Sequence, residues 1–234
     1  MSFLDEQRST GEDETWISIS DLMSGMMIIF LFIAIFYIRP ILLTQDKIQS
    51  IVDVWQQTEI DIYDALEKEF SADLKRWNAE IDPDTLTVRF KAPEVLFEQA
   101  KAALSPFFEE VLDNFFPRYV RVLVQFRPEI EEVRIEGHTS SEWAPDTPPD
   151  DAYINNMELS QERTRAVLEY VLANRQLDTH REWTKSTVTA NGLSSSRLIR
   201  RPDRTEDPDR SRRVEFRVRT KVKDRIVEIL QTLR

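Results

Sequence analysis

From Leu22 to Ile38 the chain carries no charged residue, and the apolar run begins one turn earlier, behind Asp21, in "WISISDLMSGMMIIFLFIAIFYIR". Ile17 to Ile38 is 22 residues, a helix of roughly 33 Å, which matches a hydrocarbon layer of roughly 30 Å. Trp16 and Tyr37 stand near its ends, where aromatic rings favour the headgroup layer. The pattern predicts a transmembrane helix over 16–39. A cleavable signal peptide would want a basic start, a shorter apolar core and small residues at its close. Here the start is acidic, with Asp5, Glu6, Glu12, Asp13 and Glu14 against Arg8, and large residues end the run.

Beyond Pro40 the pattern changes. No Pro or Gly occurs between Ile41 and Trp77, and Ile41, Ile48, Trp55 and Ile62 recur every seven residues, with Ile51, Thr58 and Ala65 at companion positions. This predicts a helical, coiled-coil-like linker over 40–80, with Pro40 in its first turn. Two readings stay open: a parallel dimer, or one amphipathic helix packed on its own domain.

The remainder alternates between the two periods. Leu86, Val88 and Phe90 alternate as in a strand, and "EEVRIEGHTS", "STVTANG" and "RRVEFRVRT" read as three more. Between them, "ALSPFFEEVLDNFF" reads as a helix with Ser105 as cap and Pro106 at its first position. "LSQERTRAVLEYVLANR" reads as a second helix, capped by Ser160, with Val167, Leu168, Val171 and Leu172 inward. The order β-α-β-α-β-β predicts a layered α/β domain over 81–220, preceded by an acidic tail (1–15) and followed by a short helix (221–234).

Composition narrows the function. The 234 residues carry a net charge of -11 and no cysteine. The acidic balance argues against a nucleic-acid partner, and disulfides and thiolate metal sites are excluded. No Ser-His-Asp order, phosphate loop or metal cluster is present, so neither an enzyme nor a resident cofactor or metal is expected. His138 reads as a strand-end residue.

Asp21 then becomes the residue to explain. An ionised Asp at the centre of a lipid-facing span costs about 2.5–3.5 kcal/mol. Helical steps of three and four lead from it to Ser24 and Gly25, small residues that let a neighbouring helix approach and shield the acid. A shielded carboxyl that gains and loses a proton is a proton carrier, and one helix cannot line an ion path alone. The plainer alternative has Asp21 snorkelling to the interface or capping the helix, as "SISD" would allow.

"WISISDLMSGMM" resembles the opening of the B subunits of ion-driven stator motors, the MotB-like family, with Asp21 at the family's ion-carrying aspartate. Downstream, "VLFEQAKAALSP", "IEGHTS", "NNMELSQERTRAV", "ANGLSSSRLI" and "SRRVEFRV" resemble, in order, the motifs of the OmpA-like peptidoglycan-binding domain. The resemblance implies an OmpA-like fold and a peptidoglycan site containing Thr139, Ser140, Asn156, Leu159, Arg163 and Arg213. A guanidinium suits the carboxylates of the wall's stem peptides. One departure is Ser140, where the family usually has Asp. Three readings stay open: Glu142, Asp146, Asp150 or Asp151 of the long following loop replaces that charge, the site binds weakly without it, or the loop is just a solvated excursion.

As partners the resemblance implies a MotA- or ZorA-like multi-span membrane subunit, five in a ring around two copies of this chain. It also implies an inner-membrane location with a cytoplasmic N-terminus and a periplasmic domain. The Lys and Arg count near the span leans slightly the other way. The acidic start and "WISISDLM" look closest to the ZorB-like subunits of Zorya antiphage systems. A flagellar-type stator and a static wall anchor stay open beside them. The few oxygen ligands beside Asp21 favour H+ over Na+ as the transported ion.

Overall fold

The computed structural model describes residues 3–91, 93–97 and 101–221. It divides into two compact units, the first ending at Asp53 and the second starting at Val54. Helix α1, Phe3–Leu74, is a single 72-residue helix with residues in both.

In the first unit, Ile19–Arg39 is long and apolar enough to cross a membrane, with a mean hydropathy of 2.2. Its described side chains, Asp21 and Ser24 included, are exposed on this chain. A Cβ added at Gly25 would meet nothing within 4 Å. The helix starts well before Asp21, so this residue is not an N-cap. It also runs through Pro40, where the sequence pattern expected a second helix to open. A proline removes one backbone hydrogen bond, and the helical turns on both sides carry the helix past it.

The second unit begins with the last turns of α1. Ile62, Leu66 and Phe70, four residues apart on one face, are fully buried. Phe70 packs on Trp77 and Phe115 with ring centroids 5.9 and 5.1 Å apart. The Ile62 position of the heptad thus belongs to this chain's own core, and the amphipathic-helix reading holds for these turns. Ile41 is exposed, whereas the side chains of Ile48, Ile51 and Trp55 lie outside the described residues.

Strands β1 (Ala79–Asp82) and β2 (Thr87–Lys91) form an antiparallel hairpin. Its turn is set by the Asp82 carboxylate, which accepts from the backbone N–H groups of Asp84 and Thr85, and by Leu86 at φ 48°. Strand β1 is an addition to the expected order, since "AEID" is short and polar enough to read as loop.

A short helix α2 (Pro93–Leu96) leads to α3 (Pro106–Leu123). Ser105 caps α3 as expected, its hydroxyl accepting from Phe108 N–H at 3.1 Å. Then follow β3 (Ile130–His138), α4 (Pro149–Ala173), α5 (Arg181–Thr187), β4 (Val188–Gly192), α6 (Pro208–Ser211) and β5 (Arg213–Thr220). Among the described residues five strands form one sheet, in the order β1-β2-β5-β3-β4. Only β3 and β4 pair in parallel, across the α4–α5 connection. The expected β-α-β-α-β-β order is present behind the extra strand. The expected C-terminal helix from 221 lies outside the described residues beyond Lys221.

Period-two alternation separates the faces of this sheet. Val88, Phe90, Val133, Ile135, Val214, Phe216 and Val218 are buried with the helices. Around them Phe115 stacks on Tyr119 (4.9 Å) and meets Phe216 edge-on (5.0 Å). The other face carries Arg89, Glu136, His138, Arg213 and Glu215.

Candidate functional site

Helix α4 carries the central candidates, and two glycines decide where it lies. A Cβ on Gly137 of β3 would come within 2.7 Å of Thr164 Cγ2 and 2.9 Å of Ser160 O. One on Gly192 of β4 would come within 2.3 Å of Gln161 N. Backbone therefore packs directly on backbone. Ser160, expected as a cap, is buried in the middle of the helix, which begins eleven residues earlier at Pro149. Its hydroxyl accepts from Ser194 N–H (3.1 Å) and donates to Met157 O (3.0 Å), and Ser194 Oγ donates to Tyr153 O (2.8 Å). Pro149 at the helix start, followed by Asp150 and Asp151 in the first turn, favours this earlier beginning.

With the helix already formed at Asn156, the residues Asn156, Leu159 and Arg163 share one face. Asn156 is buried and donates from Nδ2 to Glu142 O at 3.0 Å. Leu159 is half-buried. Arg163 lays its guanidinium over the Phe97 ring, 4.8 Å from the centroid, and donates from Nε to Lys101 O at 3.1 Å. Burial, and then the neighbouring guanidinium of Arg212, push Arg163 below the usual arginine range. Arg212 in turn lies 3.7 Å from a Glu142 carboxylate oxygen, and its buried Nε has no hydrogen-bond partner among the described residues. Arg212 is itself held by acids, Nη2 on Asp209 Oδ1 at 2.5 Å and Nη1 near Glu142. Among the described residues no carboxylate pairs with Arg163, which leaves its half-buried guanidinium suited to a carboxylate-bearing ligand.

Arg213 is placed otherwise than the motif implies. Its side chain is buried, with Nε on Glu215 Oε1 at 2.6 Å and Nη1 on Ser211 O at 2.8 Å. Strand parity turns it into the charged face of the sheet, and Arg212, which the motif reading passed over, is the one beside Arg163. Thr139 and Ser140 are both buried, and Thr139 N–H donates to Ser194 O at 3.0 Å. Of the loop acids, Glu142 is the one that reaches this cluster.

Behind the cluster is a buried ionic network. The β3–β5 register sets Glu136 opposite Glu215 and His138 opposite Arg213. Two like charges facing across a ladder repel, and His138 Nε2 sits between them, 3.6 and 3.4 Å from their Oε2 atoms. Arg89 and Arg213 both hold Glu215 Oε1 at 2.6 Å. Burial alone would raise both carboxyls. The His138 ring beside them, with Arg213 at Glu215 and Arg197 at Glu136, holds both below the usual carboxylate range. Ligand atoms of Glu136, His138 and Glu215 lie within 4.8 Å of one another, close enough to share a metal ion. The guanidiniums already supply the positive charge there, so the cluster reads as an ion-pair network and His138 as a strand-end residue within it.

No protein-family model matches the chain. Over 220 residues, 94% of this chain and 94% of the relative, it is 48% identical to the Zorya protein ZorB of Escherichia coli. The chain belongs to the ZorB family. Among solved structures, this ZorB-family chain is similar to a MotB-like protein from Desulfovibrio vulgaris, with 24% identity and a TM-score of 0.49, covering 69% of this chain and 91% of that one. It is also similar to the cell wall anchor of the type VI secretion system from Pseudomonas aeruginosa, with 24% identity and a TM-score of 0.45, covering 66% and 96%. The resemblance carried by "WISISDLM" and the domain motifs is borne out at the level of the ZorB family.

Proposed function

We propose that this ZorB-family chain is the B subunit of a proton-driven, MotB-like membrane motor of an antiphage system, held to peptidoglycan by its C-terminal domain. The span at 16–39 sits in the inner membrane with the N-terminus cytoplasmic. Two copies stand inside a ring of multi-span ZorA-like subunits. Asp21 takes up and releases protons, and Ser24 and Gly25 let the partner helices close over it. Asn156, Leu159 and Arg163, with Thr139 and Ser140 beneath them, form the wall site. Glu142 replaces the acid missing at Ser140 as counter-charge for the ligand's amine, and Arg213 supports the site from the sheet below.

The observation that supports the anchoring reading is the pre-set Arg163 guanidinium, laid over the Phe97 ring and bonded to Lys101 O on the helix face that also carries Asn156. A half-buried guanidinium with no carboxylate partner among the described residues favours an anionic ligand. The test is co-sedimentation of the full-length protein with purified peptidoglycan: Arg163→Ala should lose binding, and retention at the parental level overturns the anchoring role. A static anchor is the competing reading, favoured by the well-formed wall site alone. Asp21→Asn separates the two, because an amide carries no proton. The motor reading requires loss of phage protection with wall binding intact, and full protection by the variant sinks it.

A further inference from the structure

The loop after Ser140 encloses a cleft of about 790 Å3 against the start of α4, lined by Trp143, Pro145, Pro149, Asp150, Tyr153 and Ser195 among others. We infer that this cleft is a second subsite, which holds a neutral N-acetylhexosamine disaccharide of the wall's glycan while the Arg163 cluster holds the peptide. The inference rests on the peptidoglycan-binding reading and extends it to the other half of the polymer.

Three observations carry it. Trp143 and Tyr153 keep 45% and 38% of their surface open, although every other Trp and Tyr described in this domain is buried or half-buried. Aromatic faces left open in a concave site are suited to the apolar C–H faces of a flat ring. The lining residues include Glu142 and Asp150 and no Lys or Arg. Carboxylates accept from hydroxyl and amide groups, and a lining with no cation disfavours the carboxylate-rich stem peptide as occupant. The cleft also adjoins the peptide site, because Glu142 belongs to both: its carbonyl takes the Asn156 amide at 3.0 Å, and its carboxylate lies 3.7 Å from Arg212. Ser141, which also lines the cleft, donates its N–H to Glu206 at 2.9 Å, which fixes the loop. A ligand with sugar and peptide covalently joined meets the two surfaces in that order.

The test compares two soluble probes on the full-length protein in detergent by titration calorimetry: a disaccharide-tripeptide muropeptide, and the same tripeptide without sugar. Trp143→Ala and Tyr153→Ala should each weaken the muropeptide about tenfold, the factor for a loss of about 1.4 kcal/mol, and leave the free tripeptide unchanged. Trp143→Phe should recover most of the loss. If both alanine variants bind the muropeptide like the parent while Arg163→Ala loses it, the glycan subsite is wrong and the anchoring reading stands. If the alanine variants lose the free tripeptide equally, the aromatic pair serves the peptide site and the sugar assignment is overturned. If the parent binds neither probe, the anchoring reading itself fails.

Discussion

Arg163 sits over Phe97, with 4.8 Å between the guanidinium carbon and the ring centroid. The stacking, together with the hydrogen bond to Lys101 O, fixes the fork before any ligand arrives, so little rotamer freedom is lost on binding. Arg163→Lys keeps the charge and gives up both the stacked plane and the paired donors. It should weaken muropeptide binding about tenfold, and Phe97→Leu should weaken it less. Both are read by calorimetry, with circular dichroism showing an unchanged fold.

The two glycines under α4 lead to a second prediction. A methyl at Gly192 would fall 2.3 Å from Gln161 N, and one at Gly137 would fall 2.7 Å from Thr164 Cγ2. The first obstacle is backbone, so the whole helix must move. Gly192→Ala should cost about 1–3 kcal/mol of stability, the usual penalty for overpacking, and should also weaken wall binding by shifting Arg163. Gly137→Ala should be milder in binding. Denaturant midpoints and co-sedimentation measure the two effects.

A third prediction concerns acid. Glu136 and Glu215 have folded-state values below the ordinary 4.5. Their contribution is complete above that value and is lost as the pH falls through the folded-state values. The domain should therefore lose stability as the pH drops from about 4.5 downward. Glu215→Gln leaves the buried Arg213 guanidinium without its anionic partner, while Arg89 keeps Glu80, and should cost about 3 kcal/mol at pH 7. The gap between variant and parent should narrow below about pH 4.5, as followed by denaturation at several pH values.

The burial of Ile62, Leu66 and Phe70 gives a fourth. Phe70→Ala removes a ring packed against Trp77 and Phe115 and should cost about 3–5 kcal/mol. A chain shortened to begin at residue 81 should fail to fold cooperatively, whereas one beginning at 54 should fold. Thermal melts of the fragments decide this.

Much of the fold could be read from the sequence, because alternation and capping are local signals. Leu86, Val88 and Phe90 marked β2, and Ser105 with Pro106 marked the start of α3. Period-two and period-3.6 patterns need no knowledge of distant residues. What could not be read depended on partners far along the chain. The charge pattern of β3 shows Glu136 and His138, but only the register with β5, some 80 residues later, brings Glu215 beside them. The choice between Arg212 and Arg213 turns on one step of strand parity, which a motif of adjacent arginines leaves undetermined. The early start of α4 was hidden because "TPPDDAY" has a loop's composition, and the paired prolines that suggest a break in fact begin the helix.

Helix α4 is fastened to the sheet at several points along its length, through Gly137, Gly192 and the Ser160–Ser194–Tyr153 bonds. A polymer gripped at Arg163 would tug on a rod held by two neighbouring strands. Any load on that helix would then be shared among many bonds strained together, so that the grip would slip before the domain came apart.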